Sequence, residues 1–382
     1  MRTYDVVIVG GGIIGGSIAF ALSQRNLSVA VLDRQDLMRE ASWAAAGMLS
    51  PAPDCPAAIP LVPLGRASLA MYPQFIFDIE EASQMPAGYH PGGTLEVLFH
   101  GDAERELSTL VALHHGLGLA CEPLPLEEAQ EMEPALGRDA RAAAFLREEA
   151  SVNSRTLSAA VLAAAEAVGV ALCPGVEVIS LLKNGNRCAG VKTAENETYV
   201  SKHVVLSAGC WTSQLEQAAA YAPTRPVRGQ MVALRNSGKP IRHVLRSERG
   251  YIVPRDQASP QKLVAGSTLE NAGYEKAVTS GGIEQILSAV NELAPSLACA
   301  EIVETWCGLR PGTPDQLPVL GPVDVEGLVI ATGHYRNGIL LAPVTAKLIA
   351  EWITDGRTSM NWGEFSPLRF LRQNTARSEA AS

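Results

Sequence analysis

The chain has 382 residues, of which 47 % are hydrophobic and 19 % charged, and this balance excludes an intrinsically disordered protein. The net charge of -9 and the isoelectric point of about 5.4 argue against binding to nucleic acid or to an anionic membrane surface. Since no apolar run reaches the ~18 residues of a membrane span and the seven cysteines are scattered, we expect a cytoplasmic protein with reduced cysteines, no integral membrane segment and no bound metal.

The first predicted elements belong to a dinucleotide-binding unit. An apolar, β-branched run over residues 6–9 predicts a strand that is buried on both faces, and a helical pattern follows it closely. Gly10, Gly12 and Gly15 stand between them in the spacing G-x-G-x-x-G. That spacing allows a tight turn, a close approach of the backbone to a pyrophosphate, and close packing of the helix on the strand.

The second predicted strand, over residues 29–32, ends at an acidic residue. Asp33 lies 18 residues after Gly15, where a carboxylate can accept hydrogen bonds from ribose hydroxyls. Arg34 could contact the 2′-phosphate of NADP, but the carboxylate beside it would repel that phosphate. We therefore discount NADP and expect Arg34 at the cofactor without this role.

Residues 40–49 consist mostly of small side chains with one hydroxyl, that of Ser42. Such a segment can lie against a flat, extended cofactor with its amides directed inward. It can also be read as a helix that Ser42 caps and Gly47 ends. The two interpretations are compatible, and both remain open at this stage.

The strand, glycine turn and helix pattern recurs near the C-terminus. Residues 327–333 predict a strand and a turn, residues 334–338 a loop, and residues 339–353 an apolar helix. The N-terminus of this helix could stabilise negative charge on a reduced flavin. The glycine spacing alone does not distinguish FAD from NAD.

Apart from about its last dozen residues, the chain resembles the glycine/D-amino-acid oxidase family of FAD enzymes. Besides the glycine turn, the matching stretches are residues 42–49, 203–211, 251–255, 308–313 and 333–343. The last two are the specific ones, because generic dinucleotide-binding proteins lack them.

The resemblance implies an α/β fold in which a Rossmann-like FAD-binding domain is interleaved with a β-rich substrate domain. Our own reading of the chain agrees in outline, with residues 86–145 predicted to be irregular. The expected division is 1–85, 146–222 and 301–366 for FAD binding, 86–145 and 223–300 for substrate binding, and 367–382 for a polar tail.

The resemblance also assigns the site residues. Arg310, Arg336 and Tyr251 would bind a substrate carboxylate, and two guanidinium forks with a phenol suit that group chemically. Arg255 is not expected to take part, and His334 is expected to be structural. The expected cofactor contacts are Gly10, Gly12, Ile13, Ile14, Gly15, Asp33, Arg34, Ser42, Ala45, Ala46, Gly47, Met48, Val176, Gly209, Gly338, Ile339 and Leu340.

The implied reaction is oxidative deamination of glycine, other small amines or D-amino acids. A hydride would pass from the substrate Cα to flavin N5, and the imino acid would hydrolyse to an oxo acid and ammonia. Molecular oxygen would accept the electrons and form hydrogen peroxide, with no side chain acting as acid or base. FAD would be held non-covalently, because aligning Cys307 with the tethering cysteine of related sarcosine oxidases needs a gap.

The resemblance further implies a role in thiamin thiazole synthesis and assembly as a homo-oligomer, a tetramer by analogy with the family. Two alternatives remain open from the sequence. One is an oxidase or dehydrogenase of broader D-amino-acid range that passes electrons to another acceptor. The other is a flavin sensor without catalytic activity.

Overall fold

The structure, a computed structural model, describes residues 2–53 and 55–371. Its strands are β1 (Arg2–Val9), β2 (Val29–Leu32), β3 (Met48–Leu49), β4 (Tyr89–His90), β5 (Thr94–Leu98), β6 (Glu122–Leu124), β7 (Ala142–Leu146), β8 (Ala150–Val152), β9 (Ala171–Cys173), β10 (Val178–Asn184), β11 (Arg187–Thr193), β12 (Thr198–Leu206), β13 (Arg225–Asn236), β14 (Val244–Ser247), β15 (Gly250–Pro254), β16 (Gln261–Gly266), β17 (Glu301–Gly312), β18 (Val319–Pro322) and β19 (Leu328–Thr332). Its helices are α1 (Ile13–Ser23), α2 (Ala41–Ala44), α3 (Val62–Ser83), α4 (Ala103–Gly116), α5 (Leu126–Met132), α6 (Ser154–Ala167), α7 (Glu216–Ala219), α8 (Ser280–Leu293) and α9 (Gly338–Asp355).

The first sheet has the order β10-β11-β12-β1-β2-β9, and β19, with β18 beside it, also pairs with β12. β1 is parallel to β2 and to β12, and β19 is parallel to β12. Alternate residues of β1 enter different hydrophobic clusters: Val6 and Ile8 pack with α1, α6 and α9, whereas Val7 and Val9 pack with β10, β11 and α7. The apolar run of β1 is therefore continuous because both faces of this sheet are covered.

The second sheet has the order β17-β13-β16-β15-β14-β5-β7-β6, and α8 packs against its central strands. β17 pairs with β13 along nearly its whole length. The predicted domain boundary at 301 falls before β17 and assigns it to FAD binding, whereas its hydrogen bonds place it in the second sheet. A small third sheet, β3-β8-β4, lies between the two.

Two parts of the chain differ from the expectation. Residues 86–145 are not irregular, since they contain β5, β7 and the 14-residue α4. The helix buries only Ala103 and His114, so its sequence lacks a strong apolar stripe. At the other end, Phe370 is buried beneath the first sheet and Arg369 Nε donates to Asp315 Oδ2 at 2.7 Å. The packed chain thus continues past the expected start of the polar tail, of which 372–382 lie outside the described residues.

Within the described part of the chain, no helix combines the length and the apolar character that crossing a membrane requires. No group of three or more His, Cys, Asp or Glu side chains in that same part comes together to hold a metal ion.

Candidate active site

A cavity of about 420 Å³ lies where the parallel strands of the first sheet end, and the second sheet forms its opposite wall. Its lining includes the last residues of β1, β2 and β19 together with residues of β13, β15 and β17. In open parallel sheets this edge is where ligands bind. The cavity therefore contacts both halves of the fold.

The glycine turn after β1 is shaped by close backbone contacts. Gly10 has a φ of +106°, and a Cβ there would lie 2.5 Å from the carbonyl oxygen of Ser207. A Cβ on Gly15 would lie 2.0 Å from the Gly10 oxygen, which is the close helix–strand packing expected of it, and Gly15 itself is not on the cavity wall. Gly12 and Ile13 do line the cavity at the N-terminus of α1. With no acidic residue in its first turn, this positive helix end suits a pyrophosphate.

Asp33 is fixed at the end of β2 by backbone amides. Its Oδ2 accepts from Gly11 N at 2.8 Å and its Oδ1 from Gln35 N at 3.1 Å. Burial raises the pKa of Asp33 against the opposing effect of these hydrogen bonds. Val176 N donates to the Asp33 carbonyl at 2.7 Å, and both residues line the cavity. Each carboxylate oxygen keeps further acceptor capacity for a ribose hydroxyl.

Arg34 also lies on the wall, with its guanidinium 4.3 Å from the ring centroid of Trp211. The sequence prediction did not single out Trp211, although one of the matching stretches contains it. A cation over the indole face holds both side chains in place at the cavity. The pairing of a tryptophan with an arginine 177 positions earlier in the chain leaves no local signal in the sequence.

The segment that follows β2 presents its carbonyls to the protein. The carbonyls of Ala44, Ala45 and Gly47 each accept a hydrogen bond from a neighbouring element. The donors, in that order, are Trp306 Nε1 at 3.1 Å, Ser154 Oγ at 2.6 Å and Val152 N at 2.8 Å. Ala45, Ala46, Gly47 and Met48 line the cavity.

Ser42 does not cap its own helix, contrary to one of the two interpretations of this segment. It lies inside the four-residue α2, and its Oγ accepts from Ile13 N at 2.9 Å. Ser42 thereby satisfies one of the free amides at the start of α1, 29 residues away. The sequence identified the residue but not the helix that it caps.

The N-terminus of α9 closes the other end of the cavity. Gly338 and Ile339 line it, as does Gly209 after β12. Leu340 does not: its side chain lies in the core, and its carbonyl accepts from Ser68 Oγ on α3 at 2.6 Å. The helix has by then turned the Leu340 side chain toward α3 and away from the cavity wall.

Arg310 is a half-buried cation on the second sheet. Its Nη2 donates to Ser267 Oγ at 2.9 Å and its Nη1 to the Thr268 carbonyl at 3.2 Å. A Cβ on Gly229 would lie 2.1 Å from Nη1, so the guanidinium rests on this glycine. Burial lowers the pKa of Arg310. Among the described residues no carboxylate pairs with it, and a guanidinium has five N–H donors, so donors remain for a ligand in the cavity.

Tyr251 and Arg336 lie on the same cavity wall as Arg310. Tyr251 is on β15, and its hydroxyl donates to Met231 Sδ at 3.5 Å. Arg336 lies in the loop between β19 and α9. This loop is attached to β17 by a hydrogen bond from Tyr335 N to the Pro311 carbonyl at 3.1 Å. The structure thus brings the three expected substrate residues together from three separate segments.

Arg255 and Cys307 are not on the cavity wall. The buried guanidinium of Arg255 donates to the Val152 carbonyl at 3.0 Å and reaches that of Ala45, and burial lowers its pKa to about 10. It therefore supports the segment behind the cofactor contacts. Cys307 is half-buried in β17, where burial raises the pKa of its thiol.

His334 is on the wall but is a poor base. It is buried, and its Nε2 lies 3.1 Å from Thr345 Oγ1. Burial lowers the pKa of His334 to about 3, so the ring is neutral. Met231 and Gly229 in β13 and Ser267 just after β16 also line the cavity, and the sequence gave no sign of them because they belong to no recognisable motif.

A glycine turn and helix N-terminus that suit a pyrophosphate, facing a sheet with a half-buried arginine, define a dinucleotide-dependent oxidoreductase. The family model described as FAD dependent oxidoreductase matches residues 5–352, and the chain belongs to this family.

Individual relatives agree with this assignment. A glycine oxidase of Geobacillus kaustophilus is 32 % identical, over 96 % of this chain and 97 % of its own. The crystal structure of glycine oxidase from the same species superposes with a TM-score of 0.90 at 31 % identity, covering 97 % of this chain and 99 % of that one. The bifunctional protein ThiO/ThiG of Trichormus variabilis is 36 % identical over 97 % of this chain, which spans only 56 % of that longer protein.

Proposed function

We propose that this protein is an FAD-dependent oxidase of glycine and other small amines or D-amino acids. It would convert glycine, water and oxygen into glyoxylate, ammonia and hydrogen peroxide. The observation that carries the proposal is the half-buried guanidinium of Arg310, which has no carboxylate partner among the described residues and lies on the cavity wall. Desolvation of a cation that has no anion beside it is costly, so an anionic ligand is expected there.

The substrate carboxylate would bind between Arg310, Arg336 and Tyr251. Arg310 offers a planar fork and Arg336 a second positive charge, and the Tyr251 O–H would turn from Met231 Sδ to the carboxylate. These residues come from β17, β15 and the loop before α9, so a carboxylate among them has little freedom to move. FAD, when bound, supplies a two-electron acceptor that oxygen can reoxidise.

The histidine on the cavity wall is not suited to remove a proton from the substrate. The neutral ring of His334 is already hydrogen-bonded to Thr345, and its pKa is far below neutrality. The residues of the site would then orient a substrate whose amine is neutral, with its Cα next to the flavin. Orientation of this kind can account for much of a rate enhancement when no acid or base takes part.

A peroxide-release screen tests the proposal. Purified protein is incubated with glycine, sarcosine, D-alanine and methylamine, and both hydrogen peroxide and the carbonyl product are measured. We expect turnover of the first three and none of methylamine, which lacks the carboxylate that Arg310 would hold. Equal turnover of methylamine and glycine would show that the carboxylate is not the anchor. Flavin reduction without peroxide would favour a dehydrogenase that uses another electron acceptor. The absence of any flavin reduction would favour a flavin sensor without catalytic activity.

We also propose that the cofactor is held without a covalent bond, since Cys307 is not on the cavity wall. Acid precipitation should release all of the FAD into the supernatant, where its absorbance is measured. Flavin that remains with the precipitated chain would contradict this.

The relatives named ThiO/ThiG support a role in making the thiazole of thiamin. In a bacterium that lacks its own glycine oxidase for this purpose, expression of the chain should restore growth without thiamin. Arg310→Ala should fail to restore it. Equal growth with the parent and with Arg310→Ala would show that the role in thiazole synthesis does not depend on oxidation at this site.

A further inference from the structure

A buried polar network lies behind Arg310, on the side away from the cavity. We call it the Thr268 network; its members are Arg228, Gln230, Thr268, Glu270 and Thr279. Gln230 and Thr268 are 0 % and 2 % exposed, and the side chains of Arg228 and Glu270 are 9 % and 27 % exposed. Buried polar groups need hydrogen-bond partners, and the members of the network provide them for one another.

Glu270 is the centre of the Thr268 network. One carboxylate oxygen accepts from Arg228, and the other accepts from the Thr268 hydroxyl and from Gln230 Nε2, the latter at 2.8 Å. The backbones of Glu270 and Arg228 also exchange two hydrogen bonds of 2.9 Å. Although burial opposes it, these hydrogen bonds lower the pKa of Glu270, so the carboxylate stays ionised.

The Thr268 network reaches Arg310 through a single residue. The Thr268 hydroxyl donates to Glu270 and accepts from Gln230 N at 2.9 Å, which fixes its position on both sides. The carbonyl of the same residue accepts from Arg310 Nη1 at 3.2 Å. The direction in which the Arg310 guanidinium points is thus tied to where Thr268 is held.

We propose that Thr268 and Glu270 are positioning residues, which hold the Arg310 guanidinium in the orientation that receives a substrate carboxylate. The inference rests on the proposed function, because it assumes that Arg310 binds a carboxylate. An arginine side chain has many rotamers, and one that is fixed before the ligand arrives loses less freedom on binding. Neither positioning residue needs to touch the substrate to affect its affinity.

The test uses the FAD-loaded enzyme and acetate, which is glycine without its amino group. The Kd of acetate is measured from the change that it causes in the flavin absorbance. We expect Glu270→Gln and Thr268→Val each to weaken acetate binding about tenfold, because hydrogen bonds to a charged group are lost or misdirected. Thr268→Ser keeps the hydroxyl and should stay within about twofold of the parent.

Glu301→Gln is the matched control. It removes the carboxylate of another arginine–glutamate pair, Arg235–Glu301 at 2.8 Å, which likewise involves β13 but lies in solvent. Acetate binding should be unchanged. With glycine as substrate, Glu270→Gln should raise KM while kcat at saturation changes little, since the hydride step does not involve this residue.

A coupling measurement separates positioning from general loosening of the fold. In an Arg310→Lys background, Glu270→Gln should have little further effect on the Kd of acetate, because the guanidinium that it positions is gone. Unchanged acetate binding in Glu270→Gln, or a full tenfold loss in the Arg310→Lys background, would overturn the inference. Acetate binding that withstands Arg310→Ala would instead refute the proposed function, and this inference with it. If Thr268→Val does not fold, Glu270→Gln still decides.

Discussion

The cofactor half of the cavity, residues 10–14, 33 and 42–48, is made largely of backbone and small side chains. Its contacts come from a glycine turn, two helix ends and a segment whose carbonyls are hydrogen-bonded to neighbouring elements and face away from the cavity. The substrate half is made of Arg310, Tyr251 and Arg336, long side chains on three distant segments. Binding in the first half depends on space and on amide direction, whereas binding in the second depends on charge. Substitutions in the two halves should therefore fail in different ways.

The largest effect is expected in the substrate half. Arg310→Ala should raise the KM for glycine and the Kd of acetate at least roughly 30-fold, since losing one partner of a desolvated charge pair costs about 2–5 kcal/mol. Arg310→Lys should recover only part, because an ammonium cannot make the bidentate contact. The FAD content, measured from the flavin absorbance per chain, should match that of the parent.

The exposed Arg235→Ala is the control for loss of an arginine and should leave both constants unchanged. If Arg310→Ala loses FAD as readily as it loses acetate, the two halves of the cavity are not independent.

In the cofactor half the corresponding test is Gly15→Ala. The new Cβ would lie 2.0 Å from the Gly10 carbonyl oxygen, so the turn must shift, at a cost of about 1–3 kcal/mol. Thermal unfolding without added FAD should move to lower temperature, and FAD content should fall. In the molecules that retain FAD, the Kd of acetate should stay near the parent value.

Gly281→Ala is its matched control, because a Cβ there meets nothing within 4 Å and the residue lies in α8. It should be neutral or slightly stabilising. A Gly15→Ala protein with full FAD and unchanged unfolding would mean that the close packing of α1 on the turn is not required.

The difference between the halves also explains what the sequence could predict. β2 begins and ends at the predicted residues, because a run of buried residues is a local pattern. The division between the sheets was harder. β17 is adjacent in sequence to the FAD-binding segments but pairs with β13, and pairing between distant strands has no local signature.

The same holds for the site. The glycine turn and Asp33 could be read from spacing alone, and the arginines only through resemblance to a family. Ser267 and Thr268, which hold Arg310, follow an ordinary strand, and their contact depends on a fold that joins positions 42 or more apart.

A smaller loss of stability and of FAD affinity is expected on replacing Ser42, whose side chain holds the start of α1 in the cofactor half. Ser42→Ala leaves the Ile13 amide without its acceptor and should cost about 1 kcal/mol of stability. FAD binding should weaken by about tenfold at most, measured by titrating the apoprotein with FAD. Ser108→Ala in the exposed α4, whose hydroxyl bonds only to its own helix, serves as control and should change neither quantity. Unchanged FAD affinity in Ser42→Ala would show that the start of α1 does not need this acceptor.

His334 should affect the pH dependence of folding stability rather than the reaction. Burial lowers the pKa of His334 to about 3 from an ordinary 6.5. Below pH 6.5 its imidazole therefore binds a proton in the unfolded chain but not in the folded chain. Its contribution to the free energy of unfolding should therefore fall by about 1.4 kcal/mol per pH unit between pH 6.5 and about 3. His334→Asn should remove this dependence, measured as the difference in denaturant midpoint between the two proteins from pH 7 to pH 4. Parallel midpoints would mean that the ring is protonated in the folded protein.

The smallest effect should be that of His334→Asn on the rate of flavin reduction. A general base contributes about 10²–10⁴-fold, so its loss would be plain in anaerobic single turnovers with glycine. We expect a change of less than about threefold, because the neutral ring is engaged by Thr345 and cannot hold a proton near neutral pH. Deuterium on the glycine carbon should slow reduction equally in both proteins, since C–H cleavage does not involve the histidine. The rate should rise with pH in both as the substrate amine loses its proton. A loss of two decades or more, or an isotope effect that disappears in the variant, would identify His334 as a catalytic base and would make the substrate half a site of proton transfer as well as of charge pairing.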